Sequence, residues 1–279
     1  MPVTAQVSEF ITRALEEDIG HGDITTDSII IPSKKTRAVV VAKQSTVIAG
    51  LDFFIEVFKQ VDPSVKIKVK VKDSKRAKKG RTVCEITGHT HSILKAERVA
   101  LNILQRLSGI ATFTSDIVNL VKKTGARVMD TRKTTPCMRY MEKYAVRMGG
   151  GHNHRFGLYD GILIKDNHIQ AAGGIRKAVK KVKDAHYLLN IEVEVKNLKE
   201  VKEALESGVD VIMLDNMTPV NMKKAVDLIK KDNSDVLVEA SGNVTAENIR
   251  DIAATGVDLI SIGALTHSAP AADLSLKIT

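Results

Sequence analysis

The chain has 279 residues, of which 43% are hydrophobic and 27% charged, with only six prolines, so a disordered chain is excluded and a sizeable core can form. No apolar run approaches the roughly 18 residues that span a bilayer, and two cysteines, Cys84 and Cys137, make neither a metal pattern nor a disulfide framework. Lys and Arg number 42 against 33 Asp and Glu, a net charge of +9, which points to an anionic partner. Aromatic residues are 4% with no Trp, so there are few rings on which a single-stranded nucleic acid could stack. The start, MPVTAQVSEF, lacks a basic flank followed by an apolar segment. A cytoplasmic protein with no nucleic-acid or membrane partner is expected.

In chain order, Val7, Phe10, Ile11, Ala14 and Leu15 recur at helical spacing, and the helix should end before Gly20. GHGDITTDSII reads as a loop. Residues 37–42 and 47–48 read as strands. Val65, Ile67, Val69 and Val71 alternate with Lys66, Lys68, Lys70 and Lys72, a half-buried strand whose lysine row is read as a solvated face that discourages edge pairing. The basic stretch 73–81 is expected at a hairpin tip, and His21, His89 and His91 in loops. A helix should cover residues 92–107, be interrupted at Ser108-Gly109, and resume to about Lys123.

The second half changes character. Short Val/Ile-rich strands are expected at 127–130, 161–165, 191–195, 211–214, 236–240 and 259–262, with helices such as 198–207 and 219–231 between the later ones. That alternation implies a parallel sheet buried on both faces. A full eight-fold barrel needs about 250 residues, so a shortened barrel is expected. No G-x-G-x-x-G follows the first strand, which argues against a dinucleotide site.

The strands end in polar groups: Asp130-Thr131-Arg132-Lys133, then Lys165-Asp166-Asn167-His168, then Glu192 and Glu194, then Asp215-Asn216, then Glu239 with Ser241-Gly242-Asn243, then Gly263-Ala264. In a barrel these ends meet on one face, where the chemistry sits. Arg132, Lys133, Lys165 and the nearby His154-Arg155 suit carboxylates and phosphates. Glu194 and Asp215 suit sugar hydroxyls or Mg²⁺. Ser241-Gly242-Asn243, before a helix expected near Thr245, together with Gly263, suits a phosphate. Gly149-Gly150-Gly151 reads equally as a mobile loop or a turn, His154 as a binding residue, and Cys137 as inert. On these residues alone, a Schiff-base lyase using Lys165 or Lys133 is an alternative.

The block DTRKTTPCMRYMEKYAVRMGGGHNHRFGLYDGILIKDNH at 130–168 resembles quinolinate phosphoribosyltransferases. So do EEDIGHGDITT at 16–26, AERVALNILQRLSGIAT at 96–112, IEVEVKNL at 191–198, VDVIMLDNM at 209–217, LVEASGNVTAENI at 237–249 and TGVDLISIGALTHS at 255–268. The resemblance implies an N-terminal α/β sandwich domain over residues 1–110 and an incomplete, six- to seven-stranded α/β barrel over 111–268. It also implies a tail, 269–279, that returns to the first domain. The implied reaction joins quinolinate to phosphoribosyl pyrophosphate with Mg²⁺, in a homodimer with shared active sites. A subgroup associated with molybdenum transport shares the fold and is the alternative within it.

By the same resemblance, Arg98 (from the neighbouring subunit), Thr131, Arg132, His154, Arg155 and Lys165 bind quinolinate. Lys133 and Lys165 face the pyrophosphate, and Glu194 and Asp215 hold ribose hydroxyls and the metal ion. Ser241, Gly242, Asn243 and Gly263 form the 5′-phosphate cradle. The catalytic set is Lys133, Lys165, Glu194 and Asp215. Two departures stand out: Cys137-Met138 replaces the family's usual Gly-Leu, and Asn243 replaces a usual second Gly.

Overall fold

A computed structural model describes residues 3–186 and 188–279. The chain forms two compact units, and they do not follow it continuously. One comprises Met1–Ser115, Thr134–Gly150 and Leu265–Thr279, the other Asp116–Lys133 and Gly151–Ala264. Residues 134–150 pack with the first of these units.

The N-terminal part runs α1 (Ala5–Ile19), α2 (Ile24–Ile29), β1 (Lys35–Ala42), β2 (Thr46–Val47), α3 (Leu51–Val61), β3 (Lys66–Val69), β4 (Arg76–Ala77), β5 (Thr82–His89) and α4 (Thr90–Val121). Helix α1 buries Val7, Ile11 and Leu15 and stops at Gly20, whose φ is 52°. The stretch expected to be a loop holds α2, because the Asp23 side chain accepts the Thr26 backbone N–H at 3.0 Å and caps it. His89 and His91 lie at the end of β5 and the start of α4 rather than in a loop. Strand β3 is an edge strand, with Lys66 and Lys68 exposed, as the alternation implied. The basic stretch forms β4, which pairs with β2.

The expected interruption at Ser108-Gly109 does not occur: α4 runs unbroken for 32 residues. Ser108 is buried and its hydroxyl accepts the Ala49 N–H at 3.1 Å. A Cβ on Gly109 would lie 2.0 Å from the Pro270 carbonyl oxygen. Gly109 is thus a close-packing residue, and tertiary contact outweighs its roughly 1 kcal/mol helix penalty.

The second unit carries β6 (Arg127–Met129), β7 (Ile162–Ile164), α6 (Asp166–Ala172), α7 (Ile175–Ala185), β8 (Ile191–Val195), α8 (Leu198–Glu206), β9 (Val211–Asp215), α9 (Pro219–Asp232), β10 (Leu237–Ser241), α10 (Ile249–Ala254) and β11 (Leu259–Ser261). Helix α5 (Arg139–Met148) falls between β6 and β7 in sequence, and α11 (Ala264–His267) and β12 (Leu274–Ile278) follow. All six strands of this sheet are parallel, in the order β6-β11-β10-β9-β8-β7. Met129 of β6 also makes an isolated parallel bridge with His152. This is an incomplete α/β barrel. Its strands are buried on both faces, Val193, Ile212, Leu214, Val238, Ala240 and Ile260 among them.

In the first unit, a four-stranded antiparallel sheet runs β12-β1-β5-β3, so the C-terminal strand pairs with β1. Arg106 and the fully buried Glu142 form an ion pair at 2.9 Å there, and Glu142 also accepts the Thr135 N–H.

Candidate active site

The site is built at the C-terminal ends of the parallel strands. Asp130, just beyond β6, is fully buried and folds the segment after Gly151 onto itself. One carboxylate oxygen accepts the His154 backbone N–H at 2.9 Å and the other the Asn153 side-chain N–H at 2.5 Å. His154 Nδ1 accepts the Arg155 backbone N–H at 2.8 Å, so the ring proton sits on Nε2. Nε2 faces Glu192 at 3.1 Å and Glu239 at 3.6 Å. Both ring nitrogens are therefore engaged within the protein. The Nδ1 bond holds the 154–155 backbone in place.

Glu239 is 1% exposed and accepts the Ser261 hydroxyl. Burial first, and then the Glu192 carboxylate, push its carboxyl up to about 7. One oxygen of Glu192 is buried without a hydrogen-bond partner. His154, Glu192 and Glu239 also place ligand atoms within 4.8 Å of one another. The Nε2–H bond to Glu192 already accounts for that closeness.

The Arg155 guanidinium donates to the Gly161 carbonyl at 2.8 Å. Burial, and then the neighbouring Arg132 guanidinium, depress its basicity, although Glu192 opposes them. Two guanidinium groups held within each other's field favour an anion between or beside them. Thr131 is half-buried, its hydroxyl accepting the Lys133 N–H at 3.0 Å, while Arg132 and Lys133 are exposed.

Lys165 follows β7 at the N-cap of α6, and its Nζ lies 3.7 Å from Glu194. Burial raises the Glu194 carboxyl above its ordinary range; Lys165 opposes this, while Asp215 and Asp166 reinforce it. Glu194 and Asp215 come from adjacent strands, β8 and β9. Two half-buried carboxylates that repel each other are oxygen donors of the kind that suits a hard dication such as Mg²⁺.

Asp215 is in register with Ser241 on β10. The helix expected near Thr245 begins only at Ile249, so the Ser241-Gly242-Asn243 stretch is a loop rather than a helix start. Gly242 has φ 94° and Asn243 φ 48°. Gly263 lies between β11 and α11. Arg98 is on α4 in the other compact unit, with its side chain exposed. Cys137 has φ 63°, so the two departures from the family pattern both fall at left-handed positions that glycine ordinarily fills. Cys137 is exposed and free, and Cys84 is buried, its thiol pushed up to about 12 by burial.

The buried acids Asp130, Glu192 and Glu239 and the half-buried Asn153 are not among the expected site residues. The three acids stand at strand ends, but nothing in the sequence separates them from the half-buried Glu194 and Asp215.

Family models for the C-terminal domain of quinolinate phosphoribosyl transferase, over residues 110–277, and for its N-terminal domain, over residues 23–108, match the chain. A probable nicotinate-nucleotide pyrophosphorylase (carboxylating) of Bacillus subtilis is 42% identical over 98% of this chain and 94% of its own length. A relative of the same description from Methanocaldococcus jannaschii is 43% identical over 97% of this chain and 96% of its own. The solved nicotinate-nucleotide pyrophosphorylase of Francisella tularensis superposes with a TM-score of 0.95 at 40% identity, covering 100% of this chain and 98% of that one. With both domain models matched and identity sustained from end to end, the chain belongs to the quinolinate phosphoribosyltransferase family.

Proposed function

We infer that this chain is a phosphoribosyltransferase of NAD biosynthesis, a nicotinate-nucleotide diphosphorylase (carboxylating). It converts quinolinate and phosphoribosyl pyrophosphate to nicotinate mononucleotide, with release of pyrophosphate and CO₂. The observation that carries the residue assignments is the division of one strand-end face. A cationic side holds Arg132, Arg155 and Lys165, and an acidic side holds Glu194 and Asp215 next to the 241–243 loop. No feature of the site favours the molybdenum-associated or Schiff-base alternatives: Lys165, the strand-end lysine, faces a carboxylate.

Both substrates are anions and must approach closely. Arg132, Arg155, Lys165 and Thr131 hold the two quinolinate carboxylates, with Arg98 reaching the site from the partner subunit of a homodimer. His154 borders the ring and keeps the Arg155 backbone in place. This arrangement turns the pyridine nitrogen toward ribose C1. Lys133 and Lys165 hold the pyrophosphate as the C1–oxygen bond breaks and the leaving oxygen takes the electron pair. Glu194 and Asp215 hold the ribose hydroxyls while positive charge develops on the sugar, and would also hold Mg²⁺. When bound, the metal ion supplies charge neutralisation of the pyrophosphate. Ser241, Gly242, Asn243 and Gly263 cradle the 5′-phosphate.

Preorganised charge of this kind is commonly the largest contribution to catalysis. Once the ring nitrogen is quaternary, the C2–carboxylate bond breaks, its electron pair stays on the ring carbon, and a proton replaces CO₂. Two free cysteines, one exposed, suit a reducing cytoplasm.

The test supplies quinolinate, phosphoribosyl pyrophosphate and Mg²⁺ and follows nicotinate mononucleotide and CO₂. Nicotinate in place of quinolinate should not turn over, because it leaves cations unpaired in a desolvated pocket. Comparable turnover with nicotinate overturns the assignment of the cationic side.

A further inference from the structure

Asn216 follows Asp215 at the end of β9, in a left-handed conformation with φ 53°. Its backbone N–H donates to the Ser241 carbonyl at 2.9 Å, which holds it against the neighbouring strand. Its side-chain Nδ2 donates to Asp215 Oδ1 at 2.9 Å, and its Oδ1 accepts from Asn243 Nδ2 at 3.0 Å. A carboxylate can only accept, so Asn216 must turn its NH₂ toward Asp215. Its carbonyl then faces Asn243, which must in turn present its own NH₂. The orientation of both amides follows from Asp215 alone.

Two more contacts tie this pair to the loop. A Cβ on Gly242 would lie 2.2 Å from Asn216 Oδ1, so the Asn216 amide lies against the Gly242 backbone and occupies the space a side chain would need. The Asn243 carbonyl accepts from Asn248 Nδ2 at 2.9 Å, and Asn248 Oδ1 accepts the Thr245 N–H at 2.8 Å. Side-chain hydrogen bonds thus run from the acid at the end of β9 into the loop that follows β10. The residue that departs from the usual glycine, Asn243, supplies the link: glycine has the same left-handed freedom but no amide to donate.

We propose that Asn216 is a positioning residue, its amide joining the Asp215 carboxylate to the 241–243 loop so that a sugar phosphate meets both in register. The inference rests on reading Asp215 as the ribose-side acid and that loop as the phosphate cradle. Asn216 and Asn243 are exposed, so their bonds contribute little to the fold itself. A ligand lying across both loops shields them from water, and there they strengthen. The effect therefore belongs to ligand binding rather than to stability.

The test measures binding of ribose 5-phosphate by calorimetry to the wild type, N216A, N243G, D215A and the double variants D215A/N216A and D215A/N243G. N216A and N243G should each bind about threefold to tenfold more weakly, the loss of one hydrogen bond; N243G should keep a nearly unchanged melting temperature, while N216A loses a little through its left-handed backbone. In the D215A background neither change should weaken binding further. In turnover, KM for phosphoribosyl pyrophosphate should rise by the same factor and KM for quinolinate should stay put. Additive losses, or unaltered binding by both single variants, overturn the proposal; so does a parallel rise of both KM values with a fall in melting temperature. Should N216A not fold, N243G carries the same cycle, because glycine keeps the left-handed backbone. Unaltered ribose 5-phosphate binding by D215A would instead overturn the underlying assignment of Asp215, and the proposal with it.

Discussion

Replacing Glu239 by Gln should make the protein more stable at pH 8 and flatten its pH dependence. The carboxyl is 1% exposed, next to Glu192 and His154, with the Ser261 hydroxyl donating to it and Lys165 contributing attraction. Burial, and then Glu192, raise it from 4.5 to about 7 in the folded chain. Between those values the unfolded chain has lost its proton and the folded chain keeps it, so unfolding releases a proton and stability falls as pH rises. Across that window, at ~1.4 kcal/mol per pH unit, this one group removes about 3 kcal/mol. The stabilisation is complete below pH 4.5 and gone above about pH 7. Glutamine has the shape of the protonated acid and does not ionise. The assay is melting temperature, or denaturant midpoint, of both proteins from pH 4.5 to 8.5, read as the difference between them so that other titrating groups cancel. The difference should grow in favour of Glu239→Gln as pH rises. A difference that is constant with pH, or a variant that loses ground toward pH 8, would refute a proton held on Glu239.

Other consequences are equally direct. Gly109→Ala should lower stability by about 1–3 kcal/mol despite better helix propensity, because the added methyl meets the Pro270 carbonyl and Ala271 backbone; an unchanged melting temperature would show that the contact relaxes freely. Cys137 has φ 63°, so Cys137→Val should be less stable than Cys137→Gly by about 1–2 kcal/mol, measured by denaturation. Arg98→Ala, exposed on α4, should fold normally and lose roughly tenfold to a hundredfold in activity. Mixed with inactive Lys133→Ala under subunit exchange, it should recover up to about a quarter of wild-type activity, since half the dimers are mixed and half their sites intact. No recovery in proven mixed dimers would mean that Arg98 does not act across an interface.

Much of this protein is legible in its sequence because the signals are local and repeated. Strict alternation in 65–72 and the Val/Ile-rich runs ending in Asp215, Ser241 and Gly263 report strands through a two-residue period and burial on both faces. The strand-end acids and cations follow from the same pattern, because parallel strands place all their C-terminal ends on one face. What the sequence could not show depends on partners distant along the chain. Gly109 looks like a helix breaker until Pro270, 161 residues away, fills the space beside it. The loop-like stretch at 20–30 holds a helix because Asp23 caps it. Asn243 looks like a tolerated replacement for glycine until Asn216 meets its amide. Glu192 and Glu194 are two residues apart on one strand and chemically identical, yet one faces His154 and the other Lys165. Composition names the ionisable groups, and desolvation, set by tertiary packing, decides which of them holds a proton and which is open to a ligand.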